Sequence, residues 1–490
     1  MFERRAYMLD VSRDRVPTLE TLEWLVGVLA ILGFNELQLY VEHTFAYSGH
    51  EVAWRESSAF TAEDMQRLNH ICHMKGIELV GNMNCFGHME RWLAHERYRE
   101  MAECPNGAPS PFGEGTIRPT CLAPTAENAR FGVSLAREMA KAIPHPRIHI
   151  GGDEPFELGD GVSADVVAER GRQSVYVEHL NRIIEPLMAD GHDVMFWADQ
   201  FRRDRSLLDK IPAAAMPVVW NYEAPSHQSW GSFLPAGLLD RLGLPDDAHL
   251  GFESHARLFI EAERVFWVAP GTGSWNTLIG RNRNAAGNII DAAAVGQAHQ
   301  SPGFLLTDWG DNGHFQPLPV SLPSIVRAGA AATGRPVPSH PEVGERIDEI
   351  IGCQMGIGAL IDRLGDIGES LGLISINGSP IFYALCATAF GSYGEFDEEA
   401  VRGSLGVLAE ADERFSEPIG GSRGAIVAAE MRSACRLAEL GLRRLAAEHG
   451  LGVPAPDADE LADAAQAQRA AWLLSSRPGG LDDSISKLIL

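Results

Sequence analysis

Arg147-Ile148-His149-Ile150-Gly151-Gly152-Asp153-Glu154 is a short apolar run that stops on two glycines and two adjacent acids. A run of this length bounded by glycine reads as a strand buried on both faces, and the polar residues that follow mark its C-terminal end. Seven other runs have the same design: Ala6 to Leu9, Glu36 to Val41, Ile77 to Met83, Asp193 to Trp197, Pro217 to Asn221, Arg264 to Val268 and Gly303 to Thr307. Amphipathic stretches separate them. Thr18 to Leu32 has Thr18 to cap it and Glu20 in its first turn, and Thr61 to Lys75 opens with Thr61, Glu63 and Asp64. Alternation of this kind over some 330 residues predicts a (β/α)8 TIM barrel occupying residues 1–335. A doubly wound sheet is the alternative, but Gly-x-Gly-x-x-Gly does not follow the first run, which ends in Asp10-Val11-Ser12-Arg13.

Beyond Arg335-Pro336-Val337-Pro338 the composition shifts to Ala, Leu, Glu and Arg at helical spacing, so residues 338–490 read as a mostly helical C-terminal domain. Within it, Asp457 to Ala471 reads as a solvated helix face. The chain has 490 residues, 45% hydrophobic and 22% charged, a globular composition with room for two or three domains. Its formal charge, 41 − 66 = −25, would repel a phosphate backbone, so no nucleic-acid partner is expected. No stretch approaches the roughly 20 apolar residues of a membrane helix, and Met1-Phe2-Glu3-Arg4-Arg5 leads into the first strand without a signal-peptide core. A cytoplasmic protein without membrane attachment is expected. Seven scattered cysteines (72, 85, 104, 121, 353, 386 and 435), without a Cys-x-x-Cys spacing, read as buried reduced thiols.

Chemistry in a TIM barrel gathers where the strands end. Those positions here carry Asp10 and Arg13, Glu42 and His43, Asn84 and His88, Asp153 and Glu154, Trp197 and Asp199, Trp220 and Tyr222, Trp275 and Asn276, and Asp308, Trp309 and Asp311. Adjacent acids converge on one cavity only where the backbone turns, and Gly151 and Gly152 permit such a turn. Two carboxylates in a partly desolvated pocket drive their proton affinities apart, leaving one acid and one base. The bland alternative is that Asp153 and Glu154 cap the next helix. Four tryptophans, each ordinary alone, offer together an apolar wall for sugar C–H faces. Arg13 is a fork of donors suited to paired hydroxyls, or else an ion-pair partner of Asp10, Asp14 or another acid. His88 could orient one of the acids, with Glu42 as its candidate partner. Histidine spacings for zinc are absent, so no metal or other cofactor is expected; an oxygen site on Asp153, Glu154 and Asp311 is the weaker reading.

These residues resemble glycoside hydrolase family 20, the β-N-acetylhexosaminidases. The resemblance rests on His149-Ile150-Gly151-Gly152-Asp153-Glu154, Asp10-Val11-Ser12-Arg13, Gly87-His88 and Trp309-Gly310-Asp311, and runs through the barrel. The chain looks most like the hexosaminidase D type, which has no small α+β domain before the barrel. The resemblance implies an exo-acting, retaining enzyme that releases terminal β-linked N-acetylglucosamine or N-acetylgalactosamine, with the substrate's own acetamido oxygen as nucleophile. It makes Glu154 the general acid and base, and Asp153 the group that holds the acetamido N–H. Arg13 would bind hydroxyls 3 and 4; Trp197, Trp220 and Trp275 would wall the acetamido pocket; Trp309 would stack under the ring, and Asp311 would accept a hydroxyl.

Three departures stand out. The usual Tyr-x-Asp after strand seven reads Ser274-Trp275-Asn276, leaving Tyr222 as the candidate hydroxyl; strand eight carries Asp311 for Glu; and Glu42 or His43 stands where relatives pair an aspartate with the histidine. A catalytically silent sugar-binding barrel and a metal-dependent barrel hydrolase are the competing readings. The C-terminal domain is expected to buttress the barrel, shape outer subsites or form a homodimer interface.

Overall fold

The computed structural model describes residues 1–13, 15–110, 115–201, 205–225, 247–353, 356–386 and 391–488; Asp14 lies outside the described residues. Eight parallel strands close into a barrel: β1 (Arg4–Asp10), β2 (Glu36–Val41), β3 (Glu78–Met83), β4 (Arg147–His149), β5 (Asp193–Trp197), β6 (Met216–Trp220), β7 (Trp267–Ala269) and β8 (Gly303–Asp308). Pairing of β1 with β8, from Arg4 opposite Gly303 to Leu9 opposite Asp308, makes the closure. Each of the eight expected runs yields a strand; Glu36–Val41 and Asp193–Trp197 keep their bounds, and the other six shift at their ends. The fourth stops at His149 rather than Gly151, because Gly151 and Gly152 take left-handed backbone angles (φ 69° and 92°) that no strand continues through.

Alternation along the strands sorts side chains into two layers. Ala6 and Met8 of β1 join Tyr40, Met195, Trp197, Val218, Trp267, Leu305 and Trp309 inside the barrel. Tyr7 and Leu9 point outward into the larger core shared with the helices. The floor of the barrel is polar: Arg147 donates to Glu36 at 2.6 Å, Gln38 donates to the other oxygen of Glu36 at 2.7 Å, and Asn82 donates to Gln38 at 2.8 Å. The capped helices form as their sequences predict. Leu19–Leu32 begins on Thr18, whose hydroxyl accepts from Thr21 N, and Ala62–Met74 begins with a reciprocal capping box between Thr61 and Asp64.

The C-terminal region is built on helices His340–Ile351, Ile357–Leu364, Glu398–Ser416, Gly424–Glu448 and Ala458–Trp472. Its apolar side chains are continuous with the outer barrel core, from Phe2 through Leu488. The helix expected as a solvated face, Ala458–Trp472, is solvated on one side only; Leu461, Ala464, Ala471 and Trp472 are buried on the other. All seven cysteines are buried, and none is joined in a disulfide. Among the described residues no helix is long and apolar enough to cross a membrane.

Buried ion pairs stitch the two regions, among them Arg327 with Asp362 and Arg15 with Glu430. Arg15, in the loop after β1, donates to Glu430 at 3.0 Å, to Ser476 Oγ at 2.9 Å and to the Gln316 carbonyl at 3.0 Å. Both side chains are nearly inaccessible, so removing one partner strands a charge out of water. Glu430→Ala is therefore expected to lower unfolding free energy by about 3–5 kcal/mol, read as a lower urea midpoint.

Candidate active site

The chain turns sharply after β4, and groups from β5, from the helix Arg172–Ala189 and from just past β3 hold the turn. Gly151 O accepts from Trp197 N at 3.0 Å, Gly152 O accepts from the Tyr176 hydroxyl at 2.7 Å, and Gly152 N donates to Asn84 Oδ1 at 3.2 Å. A Cβ on Gly151 would lie 2.6 Å from the Asn84 side chain, and one on Gly87 would lie 2.3 Å from the Asp153 carbonyl oxygen. Those two glycines let the loops after β3 and β4 touch. Glu154 itself is left-handed (φ 46°), with its N–H donated to Asp199 Oδ2 at 3.1 Å. The turn brings Asp153 and Glu154 to one point: His88 Nε2 lies 3.3 Å from Asp153 and 3.5 Å from Glu154. Neither acid caps the next helix, Ala164–Arg170, which starts only after Ser163.

Arg13 organises the other side of the mouth. It donates to Asp10 at 3.0 Å, its Nε lies 3.5 Å from Glu42 and 3.7 Å from Asp311, and its guanidinium lies over the touching rings of Tyr40 and Trp309, 5.0 and 4.9 Å from their centroids. Asp10 also accepts from the N–H groups of Ser12, Arg13 and Gly310, which ties the loops after β1 and β8 together. Glu42 is not the hydrogen-bond partner of His88 that the sequence suggests: it takes the Tyr40 hydroxyl at 3.0 Å and faces Arg13. His88 Nδ1 also faces Arg13, whose Nη2 is 3.2 Å away.

That contact orients the imidazole. Arg13 can only donate, so Nδ1 accepts and Nε2 carries its hydrogen between the carboxylates. Burial and Arg13 oppose a second proton on His88, while Asp153 and Glu154 favour one strongly enough to raise its pKa to about 10. These two influences conflict, because an imidazolium would turn Nδ1–H against the guanidinium. In both charge states, however, Nε2 keeps its hydrogen.

The two acids diverge. Burial raises both, but His88, Arg13 and the Asn84 N–H, donated at 2.7 Å, hold Asp153 below the usual aspartate range. Glu154 is pushed up to about 8 by burial and by Asp153, Asp199 and Asp311, against the pull of His88. Near neutrality one acid is ionised and its neighbour protonated. Glu42 is likewise raised to about 8, by burial first.

His88, Asp153 and Glu154 could also present ligand atoms within 4.8 Å of one another, a grouping that omits Asp311. A cation there would have to displace the Nε2 hydrogen, which the Arg13 contact opposes.

The aromatic residues gather at the same end. Tyr222 stacks on Trp220 (5.1 Å, 14°), meets Trp275 edge-on at 5.1 Å, and accepts from Trp309 Nε1 at 2.8 Å. Trp197 lies deeper, against Trp309 and His149. Two further residues, Tyr40 and Asn377, belong to the site without being singled out by sequence reasoning. Tyr40 is an inward position of β2, readable in retrospect from alternation; Asn377 belongs to the C-terminal region, and only an Asn-Gly turn signal marks it.

A closed barrel whose mouth joins an ionised and a protonated carboxyl beside aromatic rings has the architecture that glycoside hydrolysis uses. Residues 2–230 match the model of the glycosyl hydrolase family 20 catalytic domain. The chain is similar to Hexosaminidase D of Homo sapiens, 22% identical over 339 residues that cover 67% of this chain and 65% of that protein. Hexosaminidase D of Bos taurus is 23% identical over 310 residues, covering 60% and 82%. The chain thus spans just under two thirds of the human relative. In fold it is similar to the β-N-acetylhexosaminidase of Bacteroides fragilis (TM-score 0.50, 15% identity, 68% of this chain and 65% of that one). It is also similar to the Flavobacterium johnsoniae chitobiase (TM-score 0.52, 13% identity, 99% and 78%).

The Gly87 contact yields a test. Gly87→Ala must push the Asp153 backbone away, an overpacking cost of about 1–3 kcal/mol. A lower melting temperature with unchanged far-ultraviolet circular dichroism is the expected result.

Proposed function

We propose that the protein is an exo-acting, anomer-retaining β-N-acetylhexosaminidase, with residues 1–335 as its catalytic barrel and 338–490 as a helical domain against it. The divided protonation of Asp153 and Glu154 around His88 carries the reading. In the first step the substrate's acetamido oxygen bonds to the anomeric carbon while the glycosidic bond breaks, and Glu154 gives its proton to the leaving oxygen. Asp153 accepts the acetamido N–H and stabilises the positive charge of the oxazolinium. In the second step Glu154, now ionised, takes a proton from the water that opens the ring, restoring the original anomer.

Arg13 suits terminal hydroxyls, and a blocked sugar end accounts for exo action. Trp197, Trp220 and Trp275 wall the acetamido group, with Tyr222 as the hydroxyl beside it. Its oxygen accepts from Trp309, which leaves its own hydrogen to the neighbouring Thr307 hydroxyl or to a substrate carbonyl. Trp309 and Asp311 hold the ring and one hydroxyl. A substrate with a terminal β-linked N-acetylhexosamine, a cytoplasmic location and a symmetric dimer complete the reading.

Cleavage of an aryl β-N-acetylhexosaminide that persists in EDTA tests it against both a silent sugar-binding barrel and a metal-dependent hydrolase. Glu154→Gln is expected to lower turnover on poor leaving groups by about 10² to 10⁴. Because Glu154 must be protonated to act and its pKa is about 8, kcat/KM should fall as pH rises through that value. A profile that stays flat from roughly pH 6 to roughly pH 10 would remove Glu154 from the acid role.

A further inference from the structure

The segment from Leu373 to Ser379 crosses from the helical region to the barrel mouth and is fastened at several points. Arg281 and Glu223 form a buried bidentate pair at 2.9 and 2.7 Å. Glu223 also accepts from Asn377 N at 2.9 Å, and Arg281 donates to the Ser375 carbonyl at 3.3 Å. Asn276, after β7, donates to the Asn377 carbonyl at 3.0 Å and accepts at its own carbonyl from Ser379 N at 2.9 Å. Held this way, Asn377 takes a left-handed backbone (φ 57°), which asparagine tolerates better than most residues.

Its side chain lies between two site residues. Trp275 Nε1 donates to Asn377 Oδ1 at 2.7 Å. An indole nitrogen can only donate, so this contact settles the amide's orientation and turns Nδ2 towards Asp311, 3.5 Å away. Asp311 is held loosely: Arg13 Nε is 3.7 Å away, and the aspartate side chain keeps 29% exposure. An under-used acceptor and an under-used donor therefore stand side by side at the mouth, the complement of a hydroxyl, which both accepts and donates.

We propose that Asn377 is a sugar-contacting specificity residue: with Asp311 it holds one ring hydroxyl remote from the scissile bond, Nδ2 donating to the hydroxyl oxygen and the hydroxyl donating to Asp311. The inference rests on the hexosamine reading above, and it makes the C-terminal region a part of the sugar pocket.

Titration calorimetry tests it with the tighter-binding of N-acetylglucosamine and N-acetylgalactosamine and with the 3-, 4- and 6-deoxy forms of that sugar. Asn377→Ala should weaken the parent sugar roughly 3- to 10-fold, and that loss should vanish for one deoxy form, which lacks the shared hydroxyl. Asn377→Asp, the same shape with the donor replaced by a second carboxylate, should weaken the parent sugar at least as much. Equal losses across all four sugars, no loss at all, or wild-type affinity in Asn377→Asp would overturn the inference. The reading it rests on is judged separately by wild-type cleavage of the aryl glycoside. Binding with this pattern but without cleavage sinks that reading alone, and cleavage with uniform losses sinks this one alone.

Discussion

Arg13 carries a positive charge into a mouth crowded with buried and half-buried acids. Asp10, Glu42 and Asp311 surround it, and Asp153, Glu154 and Asp199 lie across His88. Burial makes every further negative charge costly, so the carboxyls compete for ionisation. Asp153 prevails because His88, Arg13 and Asn84 all favour its charged form, whereas Glu42 and Glu154 are left near 8. The placement of one guanidinium thus helps decide which acid holds a proton.

Backbone strain collects at the same place. His88, Glu154, Asn276, Asn312 and Asn377 all have positive φ without being glycine. Such conformations persist where the surroundings over-determine them. Here the surroundings are the hydrogen bonds that cross between loops: Glu154 N to Asp199, Asn312 to Asn276, and Asn276 to Asn377. The barrel strands supply the rigid frame, and the loops use their freedom to aim side chains inward.

The helical region does more than cover the barrel's outside. Its core is continuous with the outer barrel layer, Arg15 and Glu430 pin it beside β1, and Arg281 with Glu223 pins its crossing segment at the mouth. Through Asn377 that segment also reaches the loop after β7, accepting the Trp275 indole N–H at 2.7 Å.

The eight strands, the two capped helices and the polar strand ends were legible in the linear order, because strand period, capping chemistry and glycine turns are local. The charge division was legible only as a principle: adjacent acids must separate, but which one keeps its proton depends on groups as distant as Asn84, His88 and Arg13. Glu42's partner and the whole of Asn377 lay beyond local reading. Contacts between residues more than a hundred positions apart, such as Trp275 with Asn377, exist only once the barrel has closed and the helices have packed against it.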